Sequence, residues 1–196
     1  MESMISNAYG LVRSDELKSL IDRYNAREID AARVNLYLNS YVTRYSLCRR
    51  ITVSDENGQL FHSITRLNSS DSEVYNDARY KKVEDGLISE CFAKIVFDEQ
   101  KERYTLAFSK DMTLSGKRYV LTMFSDITPL IEAVNENTVF DDIAVYDQFG
   151  NLLYVRDNKD NFKEIDVLRF VNNEENSAYP GDYRISVYGD ERRCIV

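Results

Sequence analysis

The sequence predicts an α+β fold in which a long N-terminal helix precedes antiparallel strands that pair as hairpins. Near the N-terminus apolar residues recur at helical spacing, whereas further along they alternate in short runs separated by turn residues. The chain has 196 residues, of which 43% are hydrophobic and 30% charged, with 7 Gly and 2 Pro. This composition is typical of a globular protein with a substantial core and excludes fibrous and low-complexity proteins.

The N-terminal helix is predicted to begin after Ser14, whose hydroxyl suits an N-cap and is followed by two acidic residues. Apolar residues at helical spacing extend it to about 25 residues, twice the usual length. They are Leu17, Leu20, Ile21, Tyr24, Ile29, Ala32 and Leu36. Such a helix either outreaches its own domain and packs against a second copy, or lies wholly across its own sheet.

Turn residues at regular intervals predict four hairpins. The first spans residues 51–64 around Asn57-Gly58, which is the strongest short hairpin signal in the chain. The others pair 103–110 with 117–124 across Ser115-Gly116, 143–146 with 152–155, and 183–188 with 192–196. Residues 67–78 are predicted to form a loop leading into a short helix.

Helical segments are predicted between these hairpins. One of them has an apolar face formed by Val83, Leu87, Cys91 and Ile95. Thr128-Pro129 starts a second helix, since a hydroxyl cap precedes a proline at the first helical position. A third short helix carries Ile165, Leu168 and Phe170.

The hairpins at 51–64 and 143–155 resemble each other in sequence. Each has an apolar strand, an acidic residue, a turn ending in Gly and a second apolar strand (ITVSDENGQLF and IAVYDQFGNLL). The similarity suggests two related modules in one chain.

Charge and motif content exclude several classes of function. The net charge of −8 is unsuited to nucleic acid or an anionic membrane surface, both of which need a basic footprint. No segment has the roughly 18 consecutive apolar residues of a membrane-spanning helix, and the N-terminus lacks the pattern of a secretory signal. The ending at Cys194-Ile195-Val196, within a predicted strand, favours a piece of a longer, membrane-anchored protein.

The chain offers no convergent set of catalytic residues, and no metal or cofactor is expected. His62 is the single histidine and is interpreted as a half-exposed strand residue, which leaves serine and cysteine nucleophiles without an imidazole base. No glycine-rich phosphate loop occurs. The cysteines Cys48, Cys91 and Cys194 are too scattered for a zinc site, and either all are reduced or two form a disulfide.

Three stretches carry a resemblance to a known family: SLCRRITVSDENGQLFHS, RYVLTMFSDITPLIEAV and FDDIAVYDQFGNLLYVRD. With the order of elements, they resemble the double-Cache ectodomains of bacterial sensor histidine kinases and chemoreceptors, in which a long helix backs a PAS-like antiparallel sheet. The resemblance implies a membrane-distal module over residues 1–137, including the N-terminal helix, and a smaller, truncated membrane-proximal module over 138–196.

Candidate ligand-binding residues follow from two sources. Tyr75 and Tyr80 flank a polar segment, and tyrosine suits the walls of pockets. Arg79 and Asp126 match positions at which some family members bind amino acids, and Phe97 matches a later aromatic position. The resemblance implies that Arg79 clamps a ligand carboxylate and Asp126 accepts from an ammonium group. Lys81-Lys82 replace the family's aromatic pair. The expectation for the ligand is therefore limited to a small polar or anionic molecule. The structural alternatives are that Asp126 caps the helix at Thr128 and that Arg79 pairs with an acidic neighbour.

The resemblance implies an extracellular sensor that binds a small polar molecule and relays occupancy through the long helix, with no enzyme activity in this segment. A periplasmic or extracellular binding protein is the alternative partner, and the helix is a candidate homodimer surface. Two other interpretations are an interaction or dimerisation module without a ligand and a cytoplasmic PAS-like regulatory domain.

Overall fold

The computed structural model describes residues 2–45, 48–55, 57–63, 73–77, 80–81, 83, 92–99, 101–136, 143–146, 152–156, 182–187 and 190–195. The chain divides into two compact units, Met1–Ala133 and Val134–Val196. The sequence predicted a boundary after residue 137.

The first unit begins with three helices, α1 (Glu2–Arg13), α2 (Asp15–Asn25) and α3 (Ala31–Arg44). Ser14 is the N-cap of α2, as predicted, and its hydroxyl accepts a hydrogen bond from the Leu17 N–H at 3.2 Å. The same hydroxyl lies 2.9 Å from the phenolic oxygen of Tyr37, which ties the start of α2 to α3.

The prediction of one long helix from Ser14 to about Leu36 is wrong, because the chain breaks between α2 and α3. Arg27 takes a left-handed conformation with φ of 61°, which an α-helix cannot accommodate. Asp30 then starts a new helix by accepting a hydrogen bond from the Arg33 N–H at 3.2 Å. An acidic N-cap inside the apolar pattern therefore divides it into two helices.

A five-stranded antiparallel sheet forms the rest of the first unit, with strand order β2-β1-β5-β4-β3. The strands are β1 (Cys48–Asp55), β2 (Gly58–His62), β3 (Phe92–Asp98), β4 (Arg103–Leu114) and β5 (Lys117–Asp126). The two hairpins predicted here are confirmed, and α4 (Thr128–Asn135) begins at the predicted Thr128. The α+β prediction is thus confirmed for this unit.

The turn between β4 and β5 needs two left-handed residues, Ser115 with φ of 48° and Gly116 with φ of 79°. Two consecutive residues of positive φ match the right-handed twist of the flanking strands. The sequence signal at Ser115-Gly116 therefore has a direct conformational cause.

Replacing Gly116 by alanine is expected to lower the free energy of unfolding by roughly 1 kcal/mol, because a side chain disfavours positive φ. Gly10, which is exposed within α1, provides the matched control. Gly10→Ala should stabilise the protein by about 0.5–1 kcal/mol, since alanine is the better helix former and meets no atom within 4 Å. Urea unfolding of both variants tests this, and shifts of the same sign would contradict it.

Ile95 does not extend the helical face predicted from Val83, Leu87 and Cys91. It lies in β3, where it pairs with Leu106 of β4. Seven consecutive residues of β3 pair in register with β4, and this tertiary pairing overrides the four-residue spacing of the apolar side chains. Leu87 and Cys91 lie outside the described residues.

One face of the sheet packs against the helices and is mainly apolar, although it also carries the buried Ser125. We call it the helix face, and its buried apolar side chains include Ile51, Val53, Phe61, Leu106, Phe108, Leu121 and Met123. The ring of Phe61 meets that of Tyr24 of α2 edge to face, with the ring centroids 4.9 Å apart. The centroids of Phe108 and Tyr9 of α1 are 6.0 Å apart. The Tyr119 hydroxyl accepts a hydrogen bond from the Asn25 side chain at 2.9 Å, which links β5 to the end of α2.

The second unit contains two antiparallel hairpins among its described residues. They are formed by β6 (Ala144–Tyr146) with β7 (Leu152–Val155), and by β8 (Asp182–Val187) with β9 (Asp190–Ile195). Both were predicted. The predicted short helix with Ile165, Leu168 and Phe170 lies outside the described residues.

The two hairpins that resemble each other in sequence also share an irregularity of pairing. The register shifts between Val53 and Ser54 in β1, and between Val145 and Tyr146 in β6. These residues occupy equivalent positions when ITVSDENGQLF is written over IAVYDQFGNLL. Bulges are structural features that related modules keep, so the shared position agrees with the suggested relation between the modules.

None of the described helices has the length and apolar character that crossing a bilayer requires.

Candidate functional site

The other face of the sheet is contacted by residues from the segment between β2 and β3, and we call it the insert face. Val74, Tyr80 and Val83 of that segment form an apolar cluster with Phe92, Val96, Ala107, Val120 and Phe124 of the sheet. Tyr75 packs against this cluster at its edge. The two faces differ in composition, because the insert face carries three fully buried hydroxyl side chains and a buried arginine among its apolar ones, namely Thr52, Ser109, Thr122 and Arg50.

A row of hydroxyl groups crosses the insert face through three neighbouring strands. Thr52, Thr122 and Ser109 are fully buried, and they pair with one another across β1, β5 and β4. The Ser109 and Thr122 hydroxyl oxygens lie 2.9 Å apart. A buried hydroxyl costs free energy unless it is hydrogen-bonded, and within this row the Ser109 and Thr122 hydroxyls satisfy each other.

Tyr75 and Tyr80, both predicted as candidate site residues, are brought together on the insert face. Their rings meet edge to face with centroids 5.2 Å apart. The Tyr75 hydroxyl lies 2.9 Å from that of Thr52, and the Tyr80 hydroxyl lies 3.1 Å from that of Ser54. Tyr80 is 1% exposed, whereas Tyr75 is only partly buried. Tyr75 is therefore the more exposed of the two tyrosines.

Arg50 is a basic residue of the insert face that the sequence analysis missed. It pairs with Phe124, and its guanidinium carbon lies 4.2 Å from the centroid of that ring. Only 5% of Arg50 is exposed. A planar guanidinium stacks well on an aromatic face, and a buried one presents a fork suited to carboxylates.

Asp126 lies at the end of β5, on the same face, where two groups of this chain already bind its carboxylate. Its Oδ2 accepts from Arg49 Nη2 at 2.9 Å, and its Oδ1 accepts from the Thr128 N–H at 3.0 Å. Burial alone would raise the pKa of Asp126, but hydrogen bonds from Thr128 and Arg49 outweigh burial and lower it below its ordinary value. The structural alternative for Asp126, capping of the helix at Thr128, is the arrangement observed.

Replacing Asp126 by asparagine is expected to remove part of the acid sensitivity of the fold. Because the pKa of Asp126 is lowered in the folded state, its contribution to stability is fully present above the ordinary value of 3.8. It is lost as the pH falls through the lower folded pKa. Urea unfolding from neutral to strongly acidic pH should show this loss in the wild type only. Parallel pH dependence in the two proteins would contradict the assignment.

Phe97 and Arg79 complete the set of predicted site residues. Phe97 follows Val96 of the insert-face cluster, so strand alternation places it on the opposite face. There it pairs with Tyr104, with ring centroids 4.6 Å apart, and is 42% exposed. Phe97 does not join the two tyrosines. Arg79 lies outside the described residues, as does its alternative pairing.

Three further features of the described residues concern the thiol of Cys48, metal ligands and a surface depression. Cys48 is a free cysteine, and burial raises the pKa of its thiol to about 12. The side chain therefore stays protonated at neutral pH, and a protonated thiol is a poor nucleophile. No cluster of three or more His, Cys, Asp or Glu side chains placed to hold a metal occurs among the described residues. An open depression of about 540 Å³ lies at the break between α2 and α3, lined by Tyr24, Asn25, Arg27, Glu28, Ile29 and Asp30.

Solved structures with partial similarity to this chain include sensory and ligand-binding domains of chemoreceptors. One is the sensory domain of Campylobacter jejuni Tlp3 (CcmL) with isoleucine bound, at a TM-score of 0.44 and 16% identity, covering 98% of this chain and 86% of that one. Another is the ligand-binding domain of the Pseudomonas aeruginosa PAO1 amino acid chemoreceptor PctC in complex with GABA. Its TM-score is 0.44 and its sequence identity 13%, and the match covers 98% of this chain and 90% of that one. No family model and no curated protein matches the sequence.

Proposed function

We propose that this chain is the extracellular ligand-sensing domain of a bacterial transmembrane signalling receptor, a sensor histidine kinase or a chemoreceptor. The insert face binds a small polar molecule, and no chemistry is performed on it. The second unit is a smaller module related to the first, in agreement with the shared bulge position of their hairpins. The receptor is membrane-anchored, and its output domain lies elsewhere in the parent protein.

The observation that carries this proposal is the contrast between the two faces of one sheet. The helix face is mainly apolar, which suffices for a stable core. The insert face instead combines aromatic walls with a few buried polar groups, Thr52, Ser109, Thr122 and Arg50. Ligand sites have this composition, because apolar walls supply burial while a few placed polar groups fix orientation.

The central strand β5 provides a physical route from the insert face to the helices. Thr122 of β5 lies on the insert face, and Tyr119 of the same strand bonds Asn25 at the end of α2. The Ser115 hydroxyl, in the turn that opens β5, donates to the Asp22 carboxylate of α2 at 2.9 Å. A ligand that prefers one position of β5 would shift the population of helix positions by its differential affinity.

A thermal-shift screen of amino acids, organic acids and sugars against the full chain tests the binding function. We expect at least one compound to raise the midpoint of unfolding in a concentration-dependent manner, because a ligand that binds only the folded state stabilises it. The absence of any shift across the three classes would contradict the proposal.

A second candidate function is an interaction or dimerisation module that binds no small molecule. It is favoured by the packing of Tyr80, which is 1% exposed and whose hydroxyl is hydrogen-bonded to Ser54, so that part of the insert face is filled by the protein itself. The N-terminal helices would then supply the contact between two copies. A concentration-dependent dimer in sedimentation, together with a negative ligand screen, would establish this alternative.

The extracellular location has its own test. An epitope tag inserted at the exposed Lys101 and Glu102, in the turn between β3 and β4, should be accessible to protease in intact cells that express the parent receptor. Protection of the tag until the cells are lysed would favour a cytoplasmic regulatory domain instead.

A further inference from the structure

The tip of the hairpin formed by β4 and β5 is a stiff element that is held from both sides of the sheet. The two strands pair over ten consecutive residue pairs without a register shift. Ser115 and Gly116, both of positive φ, close the turn between them in two residues. Because the ladder is continuous and the turn is tight, a displacement of the tip on one face of the sheet is also a displacement on the other.

On the insert face, Arg118 binds the segment between β2 and β3, which we call the insert. Arg118 alternates along β5 with Val120 of the insert-face cluster, so the two side chains share that face. Its Nη2 donates to the main-chain carbonyl of Val83 at 2.8 Å and to the Asp111 carboxylate at 3.3 Å. Val83 is fully buried, and a buried carbonyl that loses its donor costs free energy. Arg118 therefore ties the insert to the hairpin tip.

On the helix side, two hydroxyl groups tie the same tip to the end of α2. The Tyr119 hydroxyl accepts from the Asn25 side chain at 2.9 Å, and the Ser115 hydroxyl donates to the Asp22 carboxylate at 2.9 Å. Arg118 and Tyr119 are consecutive residues of one strand, so their side chains point to opposite faces. The contact with the insert and a contact with α2 are thus made by adjacent residues.

We infer that Arg118 is a positioning residue that couples the insert to the end of α2 through the hairpin tip. Its part in signalling rests on the proposed ligand-sensing function, whereas the coupling is a property of the ligand-free chain. A shift of the insert moves the Val83 carbonyl and the Arg118 side chain bound to it, and the stiff tip passes the displacement to Asn25 and Asp22. Coupling is reciprocal, so a change at the end of α2 must also act on the insert.

Amide hydrogen exchange of the ligand-free chain, followed by nuclear magnetic resonance, tests the coupling from the insert to α2. Arg118→Met removes the donor and keeps an aliphatic side chain. We expect exchange to accelerate by about tenfold or more at the insert amides of Asp77 and Lys81, because the insert loses a charge-assisted hydrogen bond. At the end of α2, the amides of Ala26 and Glu28 should accelerate by at least about fivefold.

Three comparisons separate coupling from a general loss of stability. Lys117→Met is the matched control, since it removes an exposed basic residue next to Arg118 and should leave these amides within about twofold. The Ile131 amide, beyond the other end of β5, should stay within about twofold in every variant. Arg118→Lys should fall between Arg118→Met and the wild type, because one nitrogen makes both contacts and an ammonium group can replace it.

The reverse direction is tested by combining Ser115→Ala with Tyr119→Phe. This double variant removes both ties to α2 and leaves Arg118 in place. The insert amides of Asp77 and Lys81 should accelerate by at least about fivefold, although the two hydroxyls act on the side of the tip away from the insert. The double variant also tests the coupling should Arg118→Met fail to fold.

Three results would overturn the inference. Acceleration confined to the insert amides in Arg118→Met, with Ala26 and Glu28 unchanged, would make Arg118 an anchor of the insert alone. Equal acceleration at Ile131 would mean that the whole unit is loosened. Unchanged insert amides in the double variant would show that the tip transmits nothing. None of these results bears on ligand binding, which the thermal-shift screen decides by itself, so failure of the coupling is distinct from failure of the proposed function.

Discussion

Replacing Phe61 by alanine is expected to lower the free energy of unfolding by about 3–5 kcal/mol. Phe61 is fully buried on the helix face, where its ring meets Tyr24 of α2 edge to face. Removal of the ring leaves a cavity between the edge of the sheet and the helices, because a packed interior collapses only partly around a deletion. Chemical denaturation monitored by circular dichroism measures the change.

Phe97→Ala is the matched control for Phe61→Ala. Phe97 is the same residue type in the same sheet, but it is 42% exposed and contacts Tyr104 at the sheet edge. Its replacement should cost about 1 kcal/mol or less, since little buried area is lost. Comparable losses in the two variants would mean that the helix face is not the main core of the first unit.

Removing the Thr122 hydroxyl alone is expected to lower the free energy of unfolding. Removing it together with the Ser109 hydroxyl is expected to change that free energy little. In Thr122→Val the buried Ser109 hydroxyl loses its partner at 2.9 Å, and the variant should lose about 1–3 kcal/mol of unfolding free energy. Ser109→Ala should have a similar cost, because it leaves the buried Thr122 hydroxyl without its partner. The double variant should recover most of the loss, because no buried hydroxyl of the pair is then unsatisfied.

The double variant distinguishes a ligand site from a structural network. If the hydroxyls orient a ligand, the double variant remains folded but binds the compound found in the thermal-shift screen about tenfold more weakly, the loss of one or two hydrogen bonds. Calorimetric titration measures this affinity. Wild-type affinity in a stable double variant would show that the two hydroxyls serve packing alone.

Local signals of the sequence predicted the hairpins and two helix starts correctly, for identifiable physical reasons. Asn57-Gly58 and Ser115-Gly116 supply residues that tolerate the positive φ observed at Gly58, Ser115 and Gly116. Thr128-Pro129 starts α4 because a proline at the first helical position sacrifices no hydrogen bond. These signals depend on a few adjacent residues, which is why a single sequence is enough to recognise them.

The break between α2 and α3 was missed because apolar spacing continues across it. Ile29 and Ala32 extend the pattern of α2, so periodicity alone predicts one helix. The local signal of the break is Asp30, a typical N-cap three residues before the Arg33 N–H that it accepts from. Arg27, with its positive φ, gives no such signal, since arginine is an ordinary helix former.

Residues of the candidate site were only partly predictable, because the site depends on which side of the sheet each strand presents. Tyr75 and Tyr80 were found from composition, whereas Phe97 points to the opposite face. Arg50 and its neighbour Arg49 are identical residues in adjacent positions. Only the pairing of β1 with β5 shows that Arg50 stacks on Phe124 while Arg49 reaches Asp126.

Methyl signals in nuclear magnetic resonance test most directly whether the insert face holds the ligand. Thr52 and Thr122 lie on that face, and their sequence neighbours Ile51 and Met123 lie on the helix face of the same two strands. Titration of isotope-labelled protein with the compound from the screen should shift the two threonine signals strongly and those of Ile51 and Met123 only weakly. Shifts confined to Ile51 and Met123, or saturation without change at either threonine, would contradict the account.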